Sequence, residues 1–213
     1  LVYNNHENPE TPKELERIFR YFLALLLPAL LGLVLFSREI IILFTTSRFY
    51  GASSVVAILG AAMLLSGMYV FAPGLAIEKK TGHIAGISVV GAVINTGGNY
   101  LLIPHFGTIG AASATLLGAL ISFVLYMHFS QKLYHVPHRW TKIMMGVSIV
   151  IVTAILIGFL GIQGFGLWIV LAIKALIFLI SSVLIIWILM GWQEIRKMAD
   201  VLIVAMKKPA SSV

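Results

Sequence analysis

One lysine and two asparagines carry most of the chemistry this sequence can offer. Lys174 stands near the middle of a long apolar run at 167–190. A lysine at the centre of a membrane helix costs roughly 2.5–3.5 kcal/mol on insertion scales, so it should face a bundle interior or a water-filled cavity. The plainer alternative is a side chain that snorkels or pairs with a carbonyl at a helix contact. Ser181 lies seven residues on, close to the same helix face. Asn95 and Asn99 are four apart and share a face with Gly91. Two such amides can hold the hydroxyls of a ligand. They can also bond between helices, worth about 0.6 kcal/mol in measured bundles, and this is the commoner use.

Other chemistries find little support. His128, His135 and His138 lack the spacing of a metal site and have no neighbouring carboxylate. The glycine-rich turns at 107–110 and 161–166 lack the strand, helix and lysine context of a phosphate loop. No Ser-His-Asp set is visible, so neither an enzyme nor a cofactor is expected. Apart from Glu39 and Glu78, the acidic residues lie in the terminal segments. That argues against a proton relay confined to this segment, because such relays need buried titratable groups.

The elements that position these residues follow from composition. The chain has 213 residues, 60% hydrophobic and 11% charged, against roughly 25% charged in soluble domains. Mean hydropathy is +1.00. An integral membrane protein is the class this implies. There is no cysteine, which removes disulfide and thiol chemistry. The net charge of +7 belongs to flanks that set topology and meet anionic lipid headgroups, so membrane lipids rather than nucleic acid are the expected partner.

Read for spans, residues 1–11 form a polar segment or linker, and 12–190 hold an all-α bundle of six transmembrane helices. The spans are placed at about 18–44, 53–77, 83–103, 108–130, 143–161 and 167–190, and an amphipathic tail at 191–213 is expected to lie at the interface. Thr11, Pro12 and Glu14 suit a helix start, with Thr11 as the cap. Pro28 predicts a kink. The third span is expected to stop at Pro104, turn through Gly107 and re-enter with Gly110, Ala114, Gly118 and Ser122 as a small-residue stripe. Arg38, Glu39 and Arg48 mark the outer boundary, and Lys79 and Lys80 an inner loop. The basic residues gather on the side of the N-terminal flank, the 78–82 and 131–142 loops and the tail, so both termini are expected in the cytoplasm. The chain does not begin with Met and has no signal-peptide pattern at its start. It therefore reads as a fragment of a longer protein.

The run Asn95…Asn99-Tyr-Leu-Leu-Ile-Pro-x-Phe-Gly-x-Ile-Gly-Ala-Ala-x-Ala-Thr115 resembles the C-terminal lobe of polysaccharide-type flippases, which handle O-antigen and other lipid-linked oligosaccharides. These belong to the multidrug/oligosaccharidyl-lipid/polysaccharide exporter superfamily. The Ile40–Ser53 run, and Gly67…Pro73-Gly74…Glu78-Lys79-Lys80-Thr81-Gly82, are similar to neighbouring parts of that lobe. The likeness implies one part of a two-lobe transporter of 12–14 helices, missing its N-terminal helices. It implies that the whole flips a polyprenyl-pyrophosphate-linked oligosaccharide across the inner membrane. Lys174 would then meet the pyrophosphate, with Ser181 beside it, and Asn95 and Asn99 the sugars. Pro28 and Pro73 would be bending points. A small-molecule or drug exporter of the same superfamily stays open as an alternative, as does an accessory protein or enzyme of glycan assembly.

Overall fold

A computed structural model describes residues 8–159 and 166–192 together with Glu194 and Arg196. Nearly all of the expected tail, and all but Gly166 of the expected turn at 161–166, lie outside the described residues. Every regular element among the described residues is helical, as an apolar chain demands in lipid, where each backbone polar group must be satisfied within its own segment.

Helix α1 spans Thr11–Phe44. Its cap is Glu10, and no side chain caps it. The expected Thr11 cap is replaced by a turn. Asn8 Oδ1 accepts the Glu10 N–H at 3.0 Å, and the Thr11 N–H donates to the Asn8 carbonyl at 3.0 Å. An Asx turn thus satisfies the entering backbone one residue earlier than the capping pattern suggests. Pro28 is accommodated inside α1. The helix runs past Arg38 and Glu39 to Phe44.

The second apolar segment is built in pieces. A 3₁₀ turn at Ser47–Ala52 leads into α2 (Ser53–Gly67), and a second 3₁₀ turn at Met68–Phe71 ends it. Ala72 leaves helical geometry (φ −130°, ψ 71°), as a residue before proline is pushed to do. Pro73 then opens the short α3, Gly74–Ile77. Lys79 follows in the left-handed region at φ 52°. The Lys80 N–H reaches back to Leu75 at 2.9 Å and the Lys79 N–H to Ala76 at 3.2 Å. This is a Schellman closure with lysine where glycine usually sits.

The helical run Thr81–Leu133 is interrupted at Gly107 (φ 55°, ψ −128°). We label its arms α4 (81–106) and α5 (108–133). They lie antiparallel: Gly98 faces Ala114, and Gly91 faces Ser122. The expected stop at Pro104 is not observed, for α4 continues to 106 with Pro104 inside it. A proline in the last turn removes one backbone bond without ending the helix, whereas a left-handed residue reverses the chain. α6 (Trp140–Phe159) and α7 (Leu167–Met190) complete the described helices. Among the described residues, five helical stretches are long and apolar enough to cross a membrane. Since Thr81–Leu133 doubles back, it supplies two arms, each longer than the roughly 20 residues a crossing takes. Six apolar segments result.

Contacts sort the chain into two compact units. The first joins Ala29–Arg139 with the start of α1, and the second joins Arg20–Pro28 with α6 and α7. In the first, Phe19, Leu31, Leu35 and Leu75 are fully buried. In the second, Leu23, Ile185 and Leu189 are. There, a Cβ added to Gly146 would sit 3.0 Å from Leu27, so the glycine sets how closely α6 approaches α1.

Candidate functional site

The first unit contains a polar groove, and small residues are what allow it. A side chain at Gly110 would collide with the Leu102 carbonyl, and one at Gly118 would come within 2.9 Å of the Gly91 carbonyl. The two arms therefore approach to backbone contact. This brings Asn95 on α4 against Thr115 on α5, with Asn95 Nδ2 donating to Thr115 Oγ1 at 3.3 Å. Asn99 Nδ2 donates to Asn95 Oδ1 at 2.8 Å along the same face. The pairing of the two amides follows from their four-residue spacing.

Beside this network lies an open groove of about 400 Å³. Its hydroxyl- and amide-bearing walls are Ser66 and Tyr69 from the second apolar segment, Ser88, Asn95 and Thr96 from α4, and Thr115 and Ser122 from α5. None of its lining residues is charged. Several hydroxyls donate to their own helix: Ser66 to Ala62 at 3.0 Å, Ser88 to Ile84 at 3.0 Å, and Thr115 to Ala111 at 3.0 Å. Tyr69 is hydrogen-bonded to Ser122, and its ring lies 4.7 Å from that of Tyr126. Chemically the groove can exchange hydrogen bonds with an uncharged polar group, and it has no nucleophile–base pair.

Lys174 and Ser181 belong to the second unit. Lys174 is half-buried on α7 and has interactions of its own. Ser181 is buried, and its hydroxyl lies 3.3 Å from that of Thr153 on α6. That contact ties α6 to α7 in the manner of membrane hydroxyls. Asn95 and Asn99 are thus brought together, Ser181 pairs with Thr153, and Lys174 stands about two turns before Ser181 on α7.

A model of the lipid II flippase MurJ family matches residues 2–186. The chain belongs to the MurJ lipid II flippase family. Among curated proteins it is similar to a probable low-salt glycan biosynthesis flippase, Agl15, of Haloferax volcanii. They share 32% identity over 137 residues, which is 63% of this chain and 29% of that protein. The chain thus spans under a third of the length of this relative. No solved structure matches it significantly. Family membership agrees with the resemblance drawn from the 95–115 motif.

This family member also carries polar residues that sequence reasoning passed over. Ser66 and Tyr69 give no signal alone, since they reach the groove only because α2 packs on the hairpin. Ser88 was legible, for it lies seven residues before Asn95 on the same face. Arg20, one of the basic residues of the N-terminal flank, is buried, and its Nη1 donates to the Leu189 carbonyl at 3.0 Å. It thereby satisfies an orphan acceptor in the last turn of α7, where a cation is favoured. Glu16 is buried too, and Arg139 Nε lies 3.7 Å from its carboxylate.

His138, the residue before Arg139, is buried against the same helix end. Its ring packs edge-on to Phe19 at 4.7 Å. Burial, and secondarily the neighbouring His135, lower its pKa to about 4. A hydrogen bond to the Phe71 backbone opposes this. Burial likewise raises the Tyr134 phenol above its usual value. The three histidines assemble no metal site among the described residues.

Proposed function

We propose that the chain is part of a flippase that moves a polyprenyl-pyrophosphate-linked oligosaccharide across the cytoplasmic membrane during glycan synthesis. The observation that carries this reading is the groove of hydroxyls and amides in helices whose other surfaces are apolar. Polar groups at membrane depth are costly and mark pathways. A sugar headgroup leaving water needs replacement hydrogen bonds, whereas the lipid tail needs none and stays among acyl chains.

In this reading Asn95 and Asn99 belong to the sugar path. Lys174 is assigned to the pyrophosphate, with Ser181 as its neighbour on α7. The break at Ala72–Gly74, and Pro28 in α1, supply the bending that alternating access requires. Further helices of the same transporter complete the cavity, and the basic flanks keep both ends of this segment in the cytoplasm. A cationic drug as substrate is disfavoured, because the groove offers no carboxylate.

The test is transport by the full protein in vesicles. A fluorescent lipid-linked oligosaccharide, initially in one leaflet, should become accessible to a membrane-impermeant quencher in the other. Accessibility that rises no faster than in protein-free vesicles would refute the reading.

A further inference from the structure

We infer that the groove on α2, α4 and α5 is a hydrogen-bond-accepting site for the uncharged part of the headgroup, its sugar hydroxyls and acetamido N–H groups, and not for its phosphates. This inference rests on the flippase reading and specifies which half of the substrate the groove meets.

The reason lies in the uncharged lining and in where three of its hydroxyl protons point. Ser66, Ser88 and Thr115 each spend the hydroxyl proton on the carbonyl four residues back. Such back-bonding leaves the oxygen facing the groove with lone pairs only. Thr115 already uses one of these to accept from Asn95. These three oxygens have no proton left for another acceptor, and a pyrophosphate is nothing but acceptors and negative charge. It would need lysine, arginine or a row of donors, and the lining has neither cation. Acetamido N–H groups donate, and sugar hydroxyls can both donate to these oxygens and accept from the remaining hydroxyls of the lining, so an uncharged headgroup complements the wall. A volume of about 400 Å³ falls within the roughly 300–1,000 Å³ of small-ligand pockets. Gly91 and Gly118 keep the floor flat, since a Cβ at either would meet Ser122 or the opposing backbone.

The experiment uses the full protein in a cysteine-free background, with Ser66→Cys, Ser88→Cys or Thr96→Cys in the groove and Ser54→Cys outside it as control. Each variant is placed in vesicles that contain either polyprenyl pyrophosphate or the same lipid carrying an N-acetylglucosamine disaccharide. The rate of labelling by a small thiol reagent is then measured. At saturating lipid the disaccharide-bearing form should slow labelling of the groove cysteines by at least about threefold. Polyprenyl pyrophosphate alone should leave them unchanged, and Ser54→Cys should respond to neither. Equal protection by both lipids would overturn the inference, as would protection by sodium ions alone. The same vesicles report transport. Flipping without groove protection sinks this inference and leaves the flippase reading standing, whereas absence of both removes the two together.

Discussion

The Ser130 hydroxyl donates to the Ala72 carbonyl at the point where the second apolar segment breaks. The same oxygen accepts the Leu75 N–H at 3.4 Å, and Ser130 is wholly buried. One side chain on α5 therefore serves two of the backbone groups at the interruption before Pro73. Gly74 makes the contact possible, since any Cβ there would run into the Ser130 carbonyl.

Replacing Ser130 by alanine should therefore leave a buried carbonyl unsatisfied, at about 1–3 kcal/mol. The apparent melting temperature of the purified full protein should fall, and Ser130→Thr should recover part of the loss if its methyl is accommodated. A Ser130→Ala protein that melts with the parent would show that water or local refolding replaces this bond.

The two arms of the hairpin make unequal demands on their glycines. Gly97 has nothing within 4 Å of a would-be Cβ, whereas Gly110 faces the Leu102 carbonyl. Gly97→Ala should be neutral or gain up to about 1 kcal/mol from helix propensity. Gly110→Ala should separate the arms and lower both melting temperature and yield. Comparable behaviour of the two variants would contradict the antiparallel backbone contact.

Acid should weaken the first unit through His138. Its folded pKa of about 4 lies below the ordinary 6.5, so between these values the unfolded chain binds the proton and the folded chain does not. The stabilisation is complete above about pH 6.5 and is lost as pH falls towards 4. One such group is worth at most about 3–4 kcal/mol. Denaturation of the full protein followed from pH 7 to 4 should show this slope, and His138→Phe, which keeps the ring against Phe19, should flatten it. An unchanged slope in that variant would assign the acid sensitivity to other groups.

Lys174→Met keeps the length and apolar stem of the side chain and removes its charge. In the full protein it should reduce transport of the lipid-linked oligosaccharide at least tenfold, about 1.4 kcal/mol of lost interaction, with membrane abundance unchanged. Wild-type transport would take Lys174 out of the substrate path and leave it a helix-contact residue.

The sequence by itself determined the class and the local geometry. Sixty per cent hydrophobic content is enough to call for a helical membrane bundle, because lipid forbids unpaired backbone. The four-residue spacing of Asn95 and Asn99 put both amides on one face, and the glycines at 107 and 110 marked the reversal between two arms. Which faces meet was decided only by tertiary structure. Inside a bilayer, surfaces that touch lipid are as apolar as surfaces that touch protein, so periodicity loses the contrast it has in water. Hence Ser66 and Tyr69 could be joined to Asn95 and Thr115 only by the packing of α2 on the hairpin. Likewise Ser130 acquired its role from the chain break at Pro73, fifty-odd residues away in sequence, and Arg20 from the end of α7. Short-range spacing fixes direction about one helix axis; the partner across the gap is set by backbone approach, and small residues permit that approach without specifying it.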